Sequence, residues 1–303
     1  MHAWESIQST IDYIEEHLNE ELQIETLAKT AALSPFYFQR LFSRLVNKTV
    51  YDYIKMRKLS KASEILKSSS SRIVDIAMEY GFSSHSNFTR AFKETFGITP
   101  EQYRADPVVL NHFIKPDLIL NYVMVDENVP LITDGMVLEI FRRKLDQPRT
   151  FAGIEGEIPI AQLMGGETTG VAAGAKLWED FHKIKPLIPN LLPEGNELGA
   201  LYLGNAKEGN CIYMAGAEII PGTTVHGYQT FEMPACEYLV CGFEAENISQ
   251  LYGDAVFKAD KFMDRWLKQQ QIRTAAFGVE MYYPPSAEAA YLEHWSIPES
   301  KTL

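Results

Sequence analysis

The sequence predicts a multidomain protein: an all-α double helix-turn-helix domain followed by an α+β domain built from two strand-helix-strand-strand repeats. Three observations carry this. Through Arg104 the apolar residues keep a helical period, glycine is rare, and one unit recurs at a shift of about 50 residues. Beyond Arg104, short strand-like segments alternate with two helical stretches in the same order twice. Charge is segregated as well: 22–105 holds 13 Lys and Arg against 7 Asp and Glu, whereas 106–303 holds 15 against 27. A formal net charge of −12 argues against a polyphosphate partner for the chain as a whole. The local excess of +6 restores that partner for the first segment alone.

The repeat is detailed. Leu27-Ala28 answers Ile76-Ala77, and Leu33-Ser34 answers Phe82-Ser83. After one inserted residue, Phe38, Arg40, Phe42, Thr49 and Tyr53 answer Phe88, Arg90, Phe92, Thr99 and Tyr103. Each unit reads as a short helix, a tight turn and a second helix opened by a capping serine, Ser34 in the first and Ser83 or Ser84 in the second. Pro35 and Pro100 suit a first helical turn, and Asn47 and Gly97 suit a left-handed C-terminal stop. On the first of these second helices Phe38, Leu41, Phe42 and Leu45 share a buried face, which turns Phe36, Gln39, Arg40 and Ser43 outward. On the other, Phe88, Ala91, Phe92 and Phe96 are buried, leaving His85, Ser86, Asn87, Thr89, Arg90 and Lys93 exposed. Val50–Leu66 reads as one connecting helix of about 25 Å at 1.5 Å per residue. A rigid spacer of that length suits two reading helices in successive major grooves about 34 Å apart.

The expected domains are 1–106, a linker with a leading strand over 107–138, and 139–303. In the later part Leu118–Val125, Met136–Arg142 and Phe151–Ile158 have strand character. Leu177–Ile188 reads as a helix, with Leu198–Leu203 and Cys211–Ala217 as a strand pair. Tyr228–Glu244 again supplies strands, Ile248–Gln270 a helix, and Phe277–Tyr283 with Ala290–Ile297 a second pair.

Hydrophobic content of 46% and charged content of 22% are globular values. The first residues show no signal peptide and no stretch nears about 18 uninterrupted apolar residues. Cys211, Cys236 and Cys241 form no CxxC pair. These observations lead to the expectation of a cytoplasmic chain with no membrane partner. The histidines show no HxxxH or HExxH spacing, and GxSxG and Walker motifs are absent, so neither metal nor cofactor is expected.

The stretches Gln39-Arg-Leu-Phe42, Ile73 to Phe82, Ser83 to Lys93 and Gly97 to Arg104 resemble the DNA-binding domain of the AraC/XylS regulators. The resemblance implies double-stranded DNA as partner. Phe36, Gln39 and Arg40 would lie at the base-contacting end of the first reading helix, and His85, Ser86, Asn87 and Arg90 on the second. Ser43 and Lys93 flank these sets on the same outward faces. His85 and Ser86 stand where some members carry longer amide side chains.

The stretches Phe151 to Gly156, Phe277 to Pro284 and Leu292 to Pro298 resemble the GyrI-like ligand-binding domain, and the order of the two domains is that of Rob-type regulators. The resemblance implies an aromatic-lined pocket with a buried carboxylate for a small cationic or aromatic effector. Glu280 and Glu293 match its carboxylate positions. Trp178, Phe181, Tyr202, Tyr213, Tyr282 and Trp295 are its candidate aromatics, with ordinary core packing as the other reading of each. Two further readings stay open: a hydrolase with Glu280 as general base, and a domain that docks a protein such as RNA polymerase.

Overall fold

The computed structural model describes residues 2–163, 169–284 and 290–299. They form two compact units, one running to Tyr122 and rejoined by the short stretch that ends at Ala172, the other formed by Val123 onward and by Ala173 onward.

The first unit holds α1 (Ala3–Glu16), α2 (Ile24–Thr30), α3 (Pro35–Val46), α4 (Val50–Ser68), α5 (Ile73–Glu79), α6 (His85–Phe96) and α7 (Pro100–Ala105). The expected caps are in place. Ser34 Oγ accepts from the Tyr37 amide at 3.4 Å, and Ser84 Oγ, rather than Ser83, accepts from the Asn87 amide at 3.2 Å. Asn47 and Gly97 close α3 and α6 at φ 55° and 82°.

Helix α4 runs two residues further than expected and is shared between two cores. Val50 and Tyr53 join Phe38, Phe42, Leu27 and Ile11 in the first. Leu59, Ala62 and Leu66 join Ile76, Phe88, Phe92 and Phe96 in the second. One helix therefore fixes the mutual geometry of the two helix-turn-helix units, because its ends cannot turn independently. Next to the first core, Glu15 accepts from Arg57 Nε and Nη2, both at 2.8 Å, and from Tyr53 Oη at 2.6 Å, while Arg57 Nη1 donates to the Phe113 carbonyl at 2.6 Å.

The chain beyond α7 packs back on this unit through Leu110, Phe113 and Leu118. Leu110–Asn111 forms a two-residue antiparallel ladder with Gly170–Val171. Leu118–Val125 is not the expected strand, for it contains a single helical turn, Ile119–Tyr122. Asp117 Oδ1 captures the Ile119 amide at 3.0 Å and starts that turn, and the Leu118 amide is taken by Gln8 Oε1 at 2.8 Å. Apolar content alone does not distinguish so short a run from a strand.

The second unit contains β1 (Leu131–Thr133), β2 (Met136–Lys144), β3 (Arg149–Pro159), α8 (Ala173–Ile184), β4 (Glu197–Tyr202) and β5 (Asn210–Glu218). There follow β6 (Gln229–Met233), β7 (Glu237–Ala245), α9 (Val256–Gln269), β8 (Phe277–Tyr282) and β9 (Ala290–Ser296). Among the described residues the sheet is nine-stranded and antiparallel, in the order β1-β2-β7-β9-β8-β4-β5-β3-β6. The two repeats, β3-α8-β4-β5 and β7-α9-β8-β9, meet where β8 pairs with β4. Each repeat places its helix on the same face of the sheet. The opposite face carries an apolar cluster of Phe151, Leu198, Met214, Val240, Met281 and Trp295.

Candidate functional site

The first candidate surface is carried by α3 and α6. Phe36, Gln39 and Arg40 are exposed and Ser43 is half-buried on α3, while Ser86, Asn87, Arg90 and Lys93 are exposed and His85 half-buried on α6. The buried faces of both helices are occupied by Phe38, Phe42, Phe88 and Phe92, so the outward orientation follows from core packing. Phe36 is 61% exposed, and the Arg40 guanidinium lies 5.5 Å from its ring centre. Among the described residues no carboxylate pairs with Arg40 or Arg90. Arg90 Nη2 meets Asn87 Oδ1 at 3.4 Å, and His85 Nε2 lies 3.0 Å from Glu101 Oε1. Neither arginine charge is therefore neutralised by a carboxylate among the described residues.

The second candidate site lies on the helix-covered face of the sheet. Alternation along β8 puts Val279 and Met281 in the apolar cluster and Gly278, Glu280 and Tyr282 on the helix side. There Glu280 Oε2 accepts from Tyr213 Oη at 2.6 Å and from Tyr282 Oη at 2.8 Å, and Trp178 Nε1 of α8 donates to Tyr213 Oη at 3.0 Å. The Trp178 ring meets Tyr282 edge-on at 4.8 Å, with Phe181 behind it in the core. Burial pushes the Glu280 carboxyl upward, and the two phenol donors act against that. Both donors use Oε2; among the described residues Oε1 accepts no hydrogen bond.

The structure does not bring all eight candidates together. Met281 pairs with Glu293 and Glu280 with His294 across β8 and β9, so the two glutamates point to opposite faces. One pocket cannot contain both, which corrects the expectation of a shared site. Glu293 is fully buried and already satisfied. It accepts from Tyr291 Oη at 2.6 Å, Trp295 Nε1 at 2.8 Å and Tyr283, and is paired with Arg143 at 2.9 Å. Trp295 belongs to this network. Tyr202 also faces the apolar side, stacked on Phe231 and bonded to Glu155.

Several site residues escape sequence reasoning. Gly199 pairs with Glu280 across β4 and β8, and a Cβ there would fall 2.4 Å from Tyr213 Oη and 2.7 Å from Glu280 Oε2. Gly242 stands likewise opposite Glu293, with Tyr291 Oη 2.5 Å from its Cβ position. In both repeats a strand glycine makes room for a tyrosine to reach its glutamate, and a glycine inside a strand pattern is a signal of close approach. A Cβ on Gly278 would meet no heavy atom within 4 Å among the described residues, although β8 is an interior strand. Open space therefore adjoins Glu280. Tyr252, 5.7 Å from Tyr282, closes another side from a π-helical turn, Leu251–Ala255, that precedes α9.

His294 sits beside Glu280, buried on the same face, and burial holds its imidazole down to about 4. Asp260 of α9 is raised to about 6 by burial and then by the charge of Glu280, although its side chain is still 52% exposed. Between pH 6.5 and 4 the unfolded chain binds a proton that buried His294 refuses, so the second unit loses stability as pH falls through that window. Asp260 acts in the opposite sense below about 6, but its exposure weakens the effect. Urea unfolding followed by tryptophan emission should show net loss of stability between pH 6.5 and 4. His294→Leu should flatten that slope, and an equally steep slope in the variant would assign it to other groups.

The fold defines a class: a helix-turn-helix DNA-binding unit followed by a small-molecule-binding unit. Residues 27–106 match a family described as a helix-turn-helix domain, and 142–294 match the GyrI-like small molecule binding domain, half of the chain. The chain belongs to the AraC-type helix-turn-helix transcription regulators with a GyrI-like domain. It is 39% identical over 98 residues to the regulatory protein SoxS of Escherichia coli strain K12, covering 32% of this chain and 92% of SoxS. It is 34% identical over 122 residues to the right origin-binding protein of the same organism, covering 40% of this chain and 42% of that protein. The uncharacterized HTH-type transcriptional regulator YbfP of Bacillus subtilis is 38% identical over 104 residues, 34% of this chain and 35% of its own length. Among the described residues no helix is long and apolar enough to cross a membrane.

Proposed function

We propose that this chain regulates transcription from the cytoplasm by reading two adjacent major-groove half-sites with α3 and α6, and that its second unit senses an organic cation at Glu280. The observation that carries the effector reading is the state of that carboxylate. Among the described residues it is held by two phenols on one oxygen, free on the other, walled by Trp178, Tyr252 and Tyr282, and open toward Gly278. A cation placed there gains Coulombic and cation–π attraction together, and it compensates a carboxylate whose burial is otherwise costly. Glu293 has no such vacancy, because Arg143 neutralises it. The domain would act on transcription only through a difference in cation affinity between two states of the regulator.

The test is calorimetry with an aromatic cation and its neutral isostere on the parent chain and on Glu280→Gln. Glutamine keeps an acceptor for Tyr213 and Tyr282 but removes the charge. The cation should bind at least about tenfold more weakly to the variant, with the neutral compound unaffected. Equal affinity of the cation for both proteins removes Glu280 from the site.

A further inference from the structure

We propose that the Glu280 site continues beneath α9 into a second acceptor compartment formed by His294 and Asp260, and that its effector is an organic cation carrying N–H donors rather than a quaternary one. This rests on the reading of Glu280 as the cation-binding carboxylate.

The geometry begins with register. Glu280 and His294 are direct partners on neighbouring interior strands, so their side chains leave the sheet side by side on the helix-covered face. The His294 side chain is only 9% exposed, yet neither ring nitrogen has a hydrogen-bond partner among the described residues. Its nearest carboxylate oxygen, Asp260 Oδ1, stands 3.9 Å from Nδ1, beyond hydrogen-bond reach. Buried polar atoms are nearly always satisfied, and an imidazole with two orphaned nitrogens beside a carboxylate marks a place where a further polar group belongs. The neighbours leave no other use for it. Phe243 packs edge-on against the ring at 5.0 Å, and Cys241 is its partner on β7.

Charge indicates which group is missing. Burial and then the charges of Glu280 and Asp264 raise the cost of ionisation at Asp260, a repulsion that a cation between Glu280 and Asp260 would relieve, and Lys261 on α9 offsets it only in part. A neutral His294 adds a lone pair without adding positive charge. Glu280 Oε1, the Asp260 carboxylate and the His294 lone pair together offer acceptors to an ammonium or amidinium. A quaternary centre has no N–H and would leave the imidazole unsatisfied.

The experiment uses the full chain and two matched probes, 2-naphthylmethylammonium and its N,N,N-trimethyl analogue, by calorimetry at neutral pH. The ammonium should bind about tenfold tighter or better. Asp260→Asn, at a half-exposed position that does not endanger folding, and His294→Leu should each weaken the ammonium about tenfold and the trimethyl compound by no more than about twofold. Glu280→Gln should weaken both probes. Equal affinities of the two probes for the parent, or an unchanged ammonium affinity in both compartment variants, overturn the second compartment while the effect of Glu280→Gln keeps the first reading intact. If neither probe binds the parent, or Glu280→Gln leaves both unchanged, the two readings fall together.

Discussion

A chain carrying both Arg40→Ala and Arg90→Ala should bind its operator about thirty- to twenty-thousandfold more weakly than the parent, with each single variant contributing about 1–3 kcal/mol. The two residues occupy matching positions of the repeat, on α3 and α6, and both are exposed. Neither is neutralised by a carboxylate among the described residues. Truncation removes nothing from either core, whose aromatic residues lie on the other side of each helix. Lost affinity would therefore report contact and not unfolding. The salt dependence separates two kinds of contact. An arginine on a phosphate lowers the slope of log K against log salt by about 1 when removed and weakens all sequences alike. An arginine on a base edge leaves most of that slope in place and relaxes specificity at one position. The operator itself can be recovered by selection from random duplexes, and two short motifs about one helical turn apart are expected. Parent-like affinity and slope in the double variant would remove α3 and α6 from the interface.

The reading helices were legible because packing and function use the same periodicity. Once Phe38, Phe42, Phe88 and Phe92 are assigned inward, Arg40 and Arg90 have to face out, and the duplication supplies an independent check. The candidate effector site was legible only residue by residue. Spacing joins Glu280 and Tyr282, two residues apart on β8, but Tyr213 comes from β5 and Trp178 from α8, and no spacing in the chain says that they converge there. Register decides it, and register also separates Glu293 from Glu280, because residues paired across antiparallel strands share a face while residues one position off do not. Gly199 and Gly242 were readable in principle as close approaches within strands. Asp260 and His294 carried no local signal, since their meaning depends on where α9 crosses β9. Leu118–Val125 failed for a local reason, the capture of the Ile119 amide by Asp117.

The core of the first unit permits a prediction of comparable size. Glu15→Ala should destabilise that unit by about 3–5 kcal/mol, because it takes the ion-pair carboxylate from a buried guanidinium. The Arg57 side chain is 8% exposed and Glu15 13%, so neither charge is relieved by water. Arg57 also holds the Phe113 carbonyl, so α1, α4 and the chain beyond α7 are joined through a single side chain. Against the roughly 5–15 kcal/mol that holds a domain together, the loss leaves a substantial unfolded fraction and with it weak operator binding at any ligand concentration. Trp4 belongs to the first unit, packed on Tyr122 at 5.8 Å, whereas Trp178, Trp266 and Trp295 belong to the second. In urea, Trp4 emission, followed in a chain lacking the other three indoles, should report unfolding at much lower denaturant in the variant, whereas in a Trp4→Phe chain the second unit's tryptophans should keep the parental transition. Combining Glu15→Leu with Arg57→Met should recover most of the loss, since a buried ion pair replaced by apolar side chains of similar volume costs little. A single variant as stable as the parent, or a double variant no better than the single, would show that the ion pair does not join these elements.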